Sequence, residues 1–199
     1  MFHVARDHWR VASAQRRTVY SLSTALHRRS GSALITYLGP LLAVILGIVH
    51  AAIAPVIVIG DVKPNLVLIG VVLVAAYGGF LPAATVAFVA GLTANLLVSE
   101  PLGAIPFAML LVAALITGGT RLLGRMSWIY PPLAAFAGSL VADAVGIGLG
   151  GLVADAAIGG LPVDVMLRAA LLNAAICAVL LIPARAVASR YVVDEATAW

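Results

Sequence analysis

Apolar residues in this chain run in long blocks, with neither the alternation of a half-buried strand nor the one-sided stripe of a soluble helix. Six blocks are legible, at roughly 33–59, 65–77, 81–98, 104–120, 130–152 and 163–188. The breaks between them read GDVKPN, YGGFLP, SEPLG, RLLGRMSWIYPP and ADAAIGGLPVD. These are Gly-, Pro-, Asn- and Asp-rich stretches with turn chemistry. A hydrocarbon core about 30 Å thick calls for about 20 apolar residues per helix. The pattern therefore predicts six transmembrane helices. The second block is short for a crossing, so its helix is tilted, broken or buried within a bundle.

Composition excludes the soluble alternative. Of the 199 residues, 63% are hydrophobic and 10% charged, against about 25% charged in soluble domains. The expected fold is an all-α integral membrane protein with a basic tail at 1–32, a six-helix domain at 33–188 and a short tail at 189–199. Cys177 is the single cysteine, which rules out an intrachain disulfide. The net charge of +4 is spread over tails and loops, which gives no basic patch for nucleic acid.

The charges instead predict orientation, since Lys and Arg gather on the cytoplasmic side of membrane helices. Arg6, Arg10, Arg16, Arg17, Arg28 and Arg29 precede the first block. Counting crossings places Arg121, Arg125, Arg185 and Arg190 on that same side, and Asp61, Glu100, Asp155 and Asp164 on the other. Both termini are thus expected in the cytoplasm. The long basic segment and spanning-length apolar run argue against a cleaved signal peptide. The tail, with Phe2, Trp9 and Tyr20 among its arginines, either lies on anionic lipid head groups or is solvated.

Polar residues inside apolar blocks are costly in lipid and usually face the interior of a bundle. Here they are His50, Asn95, Asp143, Arg168 and Asn173. At 1.5 Å per residue, all five fall near the midplane or in the half away from the cytoplasm. Asp143 and Arg168 match in depth closely enough to pair if their helices are neighbours. The set reads either as an interhelical hydrogen-bond cluster or as an outward-facing polar pocket or docking seam. In the SEPLG break, Glu100 sits in water, Pro101 ends a helix and Gly103 permits a tight reversal. Ala43, Gly47 and Ala51 recur every four residues, a small-residue ladder for close helix packing. AFVAGLTANL from Ala87 weakly echoes AFAGSLVADA from Ala135, setting Asn95 against Asp143. No catalytic constellation, metal-ligand spacing, nucleotide loop or cofactor motif is present in the sequence.

One stretch, KPNLVLIGVVLVAAYGGFLPAATVAFVAGLTANLLVSEPLG, resembles the signature region of the rod shape-determining protein MreD family. The matching residues are Pro64, Leu66, Gly91, Leu92, Leu97, Pro101, Leu102 and Gly103, and the last helix is similar through Arg168, Asn173 and Pro183. That family usually has an acidic residue where this chain has Asn95, and basic residues where YGGFLP is neutral. The resemblance implies a fold like the six-helix substrate-binding (S) component of energy-coupling-factor transporters. It also implies a non-enzymatic scaffold for cell-wall elongation. Its partners would be an MreC-like single-pass protein, a RodA-type glycosyltransferase, a penicillin-binding transpeptidase, the MreB-type filament and membrane lipids. A vitamin-capturing S component is the other reading.

Overall fold

A computed structural model describes residues 38–98, 101–123, 128–154 and 162–191. The basic tail, Glu100 and most of the C-terminal tail lie outside the described residues. The chain divides into two units, Met1–Leu38 and Gly39–Trp199, and apart from Leu38 every described residue belongs to the second. Among the described residues there are six helices and no named strand. They are α1 (Leu38–Ile53), α2 (Leu66–Gly78), α3 (Phe80–Leu97), α4 (Ala104–Leu123), α5 (Tyr130–Ala154) and α6 (Val163–Tyr191). Three of them, over Phe80–Leu97, Tyr130–Leu152 and Val163–Ala186, are long and apolar enough to cross a membrane. The chain is a membrane-associated helical protein.

The short second helix is the central column. It packs on α3, α4, α5 and α6, and its Gly70 takes the end of the Leu46 side chain from α1. Val67, Leu68, Ile69, Val71, Val72 and Ala75 are buried, and Leu66, Gly70, Leu73, Val74 and Tyr77 on the remaining side are half-buried. A helix that is apolar all round is one that never meets water. Its 13 residues extend about 20 Å, and the remainder of that column is non-helical chain, 54–65.

That segment corrects the expectation that the first helix runs to 59. The helix ends at Ile53, because Pro55 offers no N–H and its ring collides with the preceding turn. The chain then makes a tight hairpin in which Ile59 and Val62 exchange both backbone bonds, at 3.0 and 3.2 Å. Gly60 and Asp61 between them have φ of 58° and 65°, the φ signature of a type I′ turn. Asn65 then caps α2, its side chain accepting the Leu68 N–H at 3.0 Å.

Successive helices run in opposite directions, and small residues let them approach. Ala83, Ala87, Ala90 and Ala94 form a fully buried strip along α3. A Cβ added to Gly47 would lie 2.6 Å from the Ala90 carbonyl oxygen and 2.7 Å from Thr93 Cβ, so α1 crosses α3 at this point with almost no gap. Of the small-residue ladder in α1, Ala43 and Gly47 are buried and Ala51 is half-buried. Large apolar side chains instead point outward, among them Leu42 and Ile45 on α1, Phe107 on α4 and Ile182 on α6. An apolar exterior around a small-residue core suits lipid surroundings, where close packing replaces hydrophobic drive.

α2 and α6 are parallel and in register. Three contacts tie this column to α6, each between residues 108 apart. Arg168 reaches the Gly60 carbonyl at 3.5 Å, the Asn65 N–H donates to Asn173 Oδ1 at 2.8 Å, and Arg185 donates to the Tyr77 hydroxyl at 3.4 Å.

Candidate functional site

The GLTANLLV and PLG parts of one stretch, Gly91–Val98 and Pro101–Gly103, come together at the junction of α3 and α4. On α3, Gly91 faces Pro106 of α4 so closely that a Cβ would lie 2.8 Å from the Pro106 Cα. One turn on, buried Asn95 turns its Oδ1 to the Gly103 N–H at 2.6 Å. Gly103 has φ of 92°, and the Ala104 N–H closes on the Pro101 carbonyl at 3.1 Å. This is a four-residue turn with glycine where the left-handed backbone requires it. Glu100, expected in water at this turn, lies outside the described residues.

Asn173 holds a second junction. It is buried at 1% exposure and uses both ends of its amide. Its oxygen accepts the Asn65 N–H, and its nitrogen donates to Ser139 Oγ of α5 at 2.9 Å. One side chain thus joins the start of the central helix to the middles of α5 and α6.

A cavity of about 610 Å³ opens beside this junction, at the end of the bundle where α3 stops and α4 and α6 begin. Its walls come from the end of α1 (His50), the hairpin segment (Asp61, Lys63, Asn65), the first half of α4, the second half of α5 (Asp143, Gly146, Gly150) and the start of α6. The non-helical chain above α2 is what leaves the room. Backbone outside helices is tolerated at membrane depth where it lines such a space. Residues 155–161, next to this region in sequence, lie outside the described residues.

His50 Nδ1 and Asp143 Oδ2 are both buried and have no hydrogen-bond partner among the described residues. Native structures rarely leave such atoms unsatisfied. The expected Asp143–Arg168 pair is absent, although α5 and α6 are neighbours. Arg168 instead pairs with Asp164, one helical turn back on its own helix, and with the Gly60 carbonyl. A partner four residues away on the same helix is in reach without any tertiary contact, so the guanidinium stays at the exposed edge.

The five polar residues expected as one set therefore divide. Asn95 braces a turn, Asn173 ties three elements, Arg168 pins the hairpin, and only His50 and Asp143 enter the cavity. Sequence reasoning missed Ser139 and the double role of Asn65. For Asn65 the signal was present, because Asn after Pro and before an apolar run marks a helix cap. Also unforeseen is Tyr130, which donates to the Ile116 carbonyl at 2.6 Å and joins α5 to α4. Among the described residues, no three of His, Cys, Asp and Glu gather as metal ligands. No family model matches this chain, and no curated protein or solved structure does either.

Proposed function

We propose that this chain is a multi-pass protein of the bacterial cytoplasmic membrane and a non-enzymatic scaffold of lateral cell-wall synthesis, of the MreD kind. The observation that carries the reading is the interlock of Gly91 with Pro106 and of Asn95 with Gly103. Gly91 and Gly103 are positions on which the resemblance rests, and Pro106 and Asn95 are what they close against where α3 and α4 meet. The departure at Asn95 also finds a reason. What the turn needs there is an oxygen acceptor, and an amide supplies one as a carboxylate does.

All six helices cross in this reading, with both ends in the cytoplasm and the cavity facing outward. The parallel course of α2 and α6 supports an even number of reversals between them, and the arginine distribution supports the orientation. Protease outside right-side-out vesicles leaves residues 1–30 intact under this orientation and digests them under the inverse one. The partners are an MreC-like protein, a RodA-type glycosyltransferase with its transpeptidase, and the MreB-type filament.

The cavity favours a second reading, an S component that captures a vitamin. Depletion in a rod-shaped bacterium that carries the chain separates the two. Rounding of the cells supports the scaffold, whereas unchanged shape with a vitamin requirement overturns it in favour of transport.

A further inference from the structure

We infer that the cavity beside Asn65 is a binding site for the ammonium head of a small amphiphile. The inference goes beyond the scaffold reading and stands whether or not that reading holds.

Charge gives the first reason. The lining holds Asp61, Lys63 and Asp143 as its charged residues, with His50 beside them. Asp61 and Lys63 are exposed and opposite in sign; Asp143 is left as the net charge of the interior. The second reason is the unmet demand for hydrogen bonds. Asp143 Oδ2 and His50 Nδ1 lie buried in different walls of the same space without partners. An ammonium carries three donors and no acceptor, which is what the Asp143 carboxylate calls for. An anionic head would meet the Asp143 carboxylate and be repelled.

Shape gives the third reason. The walls also carry apolar side chains, Ile105 and Met109 from α4 and Val165 and Met166 from α6. A volume of about 610 Å³ suits a drug-sized ligand. On α5 the wall beyond Asp143 is bare. Gly146 and Gly150 follow it at three and seven residues, on one helix face, and a Cβ at either would meet no atom within 4 Å. Glycines at close contacts, such as Gly47 and Gly91, serve packing. These two touch nothing, and their effect is to keep the space open.

An ammonium on an apolar body has two sources, an aminophospholipid or a water-soluble amine. The full-length protein, purified in maltoside micelles, is titrated with phenethylammonium and, separately, with 3-phenylpropanoate of similar size and opposite charge. The expected result is saturable binding of the cation and at least tenfold weaker binding of the anion. Asp143→Asn weakens the cation tenfold or more, and Gly146→Leu, which fills the cavity, abolishes binding. In parallel, protein extracted from vesicles of equal phosphatidylethanolamine and phosphatidylglycerol is weighed intact by native mass spectrometry. Retained phosphatidylethanolamine, lost in Asp143→Asn, identifies a lipid head group; its absence beside phenethylammonium binding identifies a soluble amine. Equal affinity for the two probes overturns the inference, as does an unchanged affinity in Asp143→Asn or no binding in either arm. If Asp143→Asn does not fold, Gly146→Leu decides alone, since its side chain enters open space: cation binding that survives it overturns the inference.

Discussion

Replacing Asn173 by Ala removes a side chain that joins the start of α2 to α5 and α6. Two hydrogen bonds go, from the Asn65 N–H and to Ser139 Oγ. At the membrane-protein average of about 0.6 kcal/mol per side-chain bond, the loss is about 1.2 kcal/mol. The two orphaned partners fare differently. The Ser139 hydroxyl can rotate back to the carbonyl four residues earlier, as Thr93 does to Val89 at 2.8 Å and Thr117 to Ala113 at 2.6 Å. The Asn65 N–H is fixed by the backbone at the start of a buried helix, and a stranded donor costs about 1–3 kcal/mol. The expected destabilisation is about 2–3 kcal/mol, most of it at Asn65. Ser139→Ala takes the acceptor from the buried Asn173 Nδ2, so by the same rule it should cost about 1–3 kcal/mol. Reversible unfolding in mixed micelles of rising dodecyl sulfate fraction measures both. A cost below about 0.5 kcal/mol for Asn173→Ala would refute the reasoning, because additive errors alone reach that size.

Three other outcomes follow from the same geometry. Gly47→Ala should destabilise by about 1–3 kcal/mol, as overpacking does, whereas Gly146→Ala, with open space around its Cβ, should be neutral or stabilise by up to about 1 kcal/mol through helix propensity; unfolding midpoints of the two variants give the comparison. Asn95→Leu should lose about 1–3 kcal/mol because the Gly103 N–H loses its acceptor, and an unchanged midpoint would remove the turn-bracing role. A double-mutant cycle of Asp143→Ala and Arg168→Ala should show coupling below about 0.5 kcal/mol, since Arg168 is engaged by Asp164 and Gly60; partial rescue in the double variant would restore the direct pair.

Where helices lie was legible because each apolar block is closed by residues that cannot continue a helix. The expected starts of α4, α5 and α6 coincide with those observed, at Ala104, Tyr130 and Val163. The first helix was drawn too long because 54–59 is apolar and hydropathy cannot see that Pro55 ends the hydrogen-bond ladder. The polar residues were legible as a list and not as an arrangement. Depth along a helix axis ranks Asp143 with Arg168, but it says nothing of azimuth, and Asp164 was a nearer partner on the same helix. Asn173 could not be assigned its role from sequence, since its partners, Asn65 and Ser139, are 108 and 34 residues away. The cavity was least legible of all. It exists because the central helix starts late and because Gly146 and Gly150 leave one wall without side chains, and neither fact follows from hydropathy.

The proposal that this chain supports wall synthesis meets its most direct test in what it binds. The tagged full-length protein, extracted gently from its native membrane, is recovered with its partners, which are identified by mass spectrometry. An MreC-like single-pass protein or a RodA-type synthase among them is the result the account predicts. Recovery instead of paired ATPases with a transmembrane coupling subunit would contradict it and make the chain a transporter component.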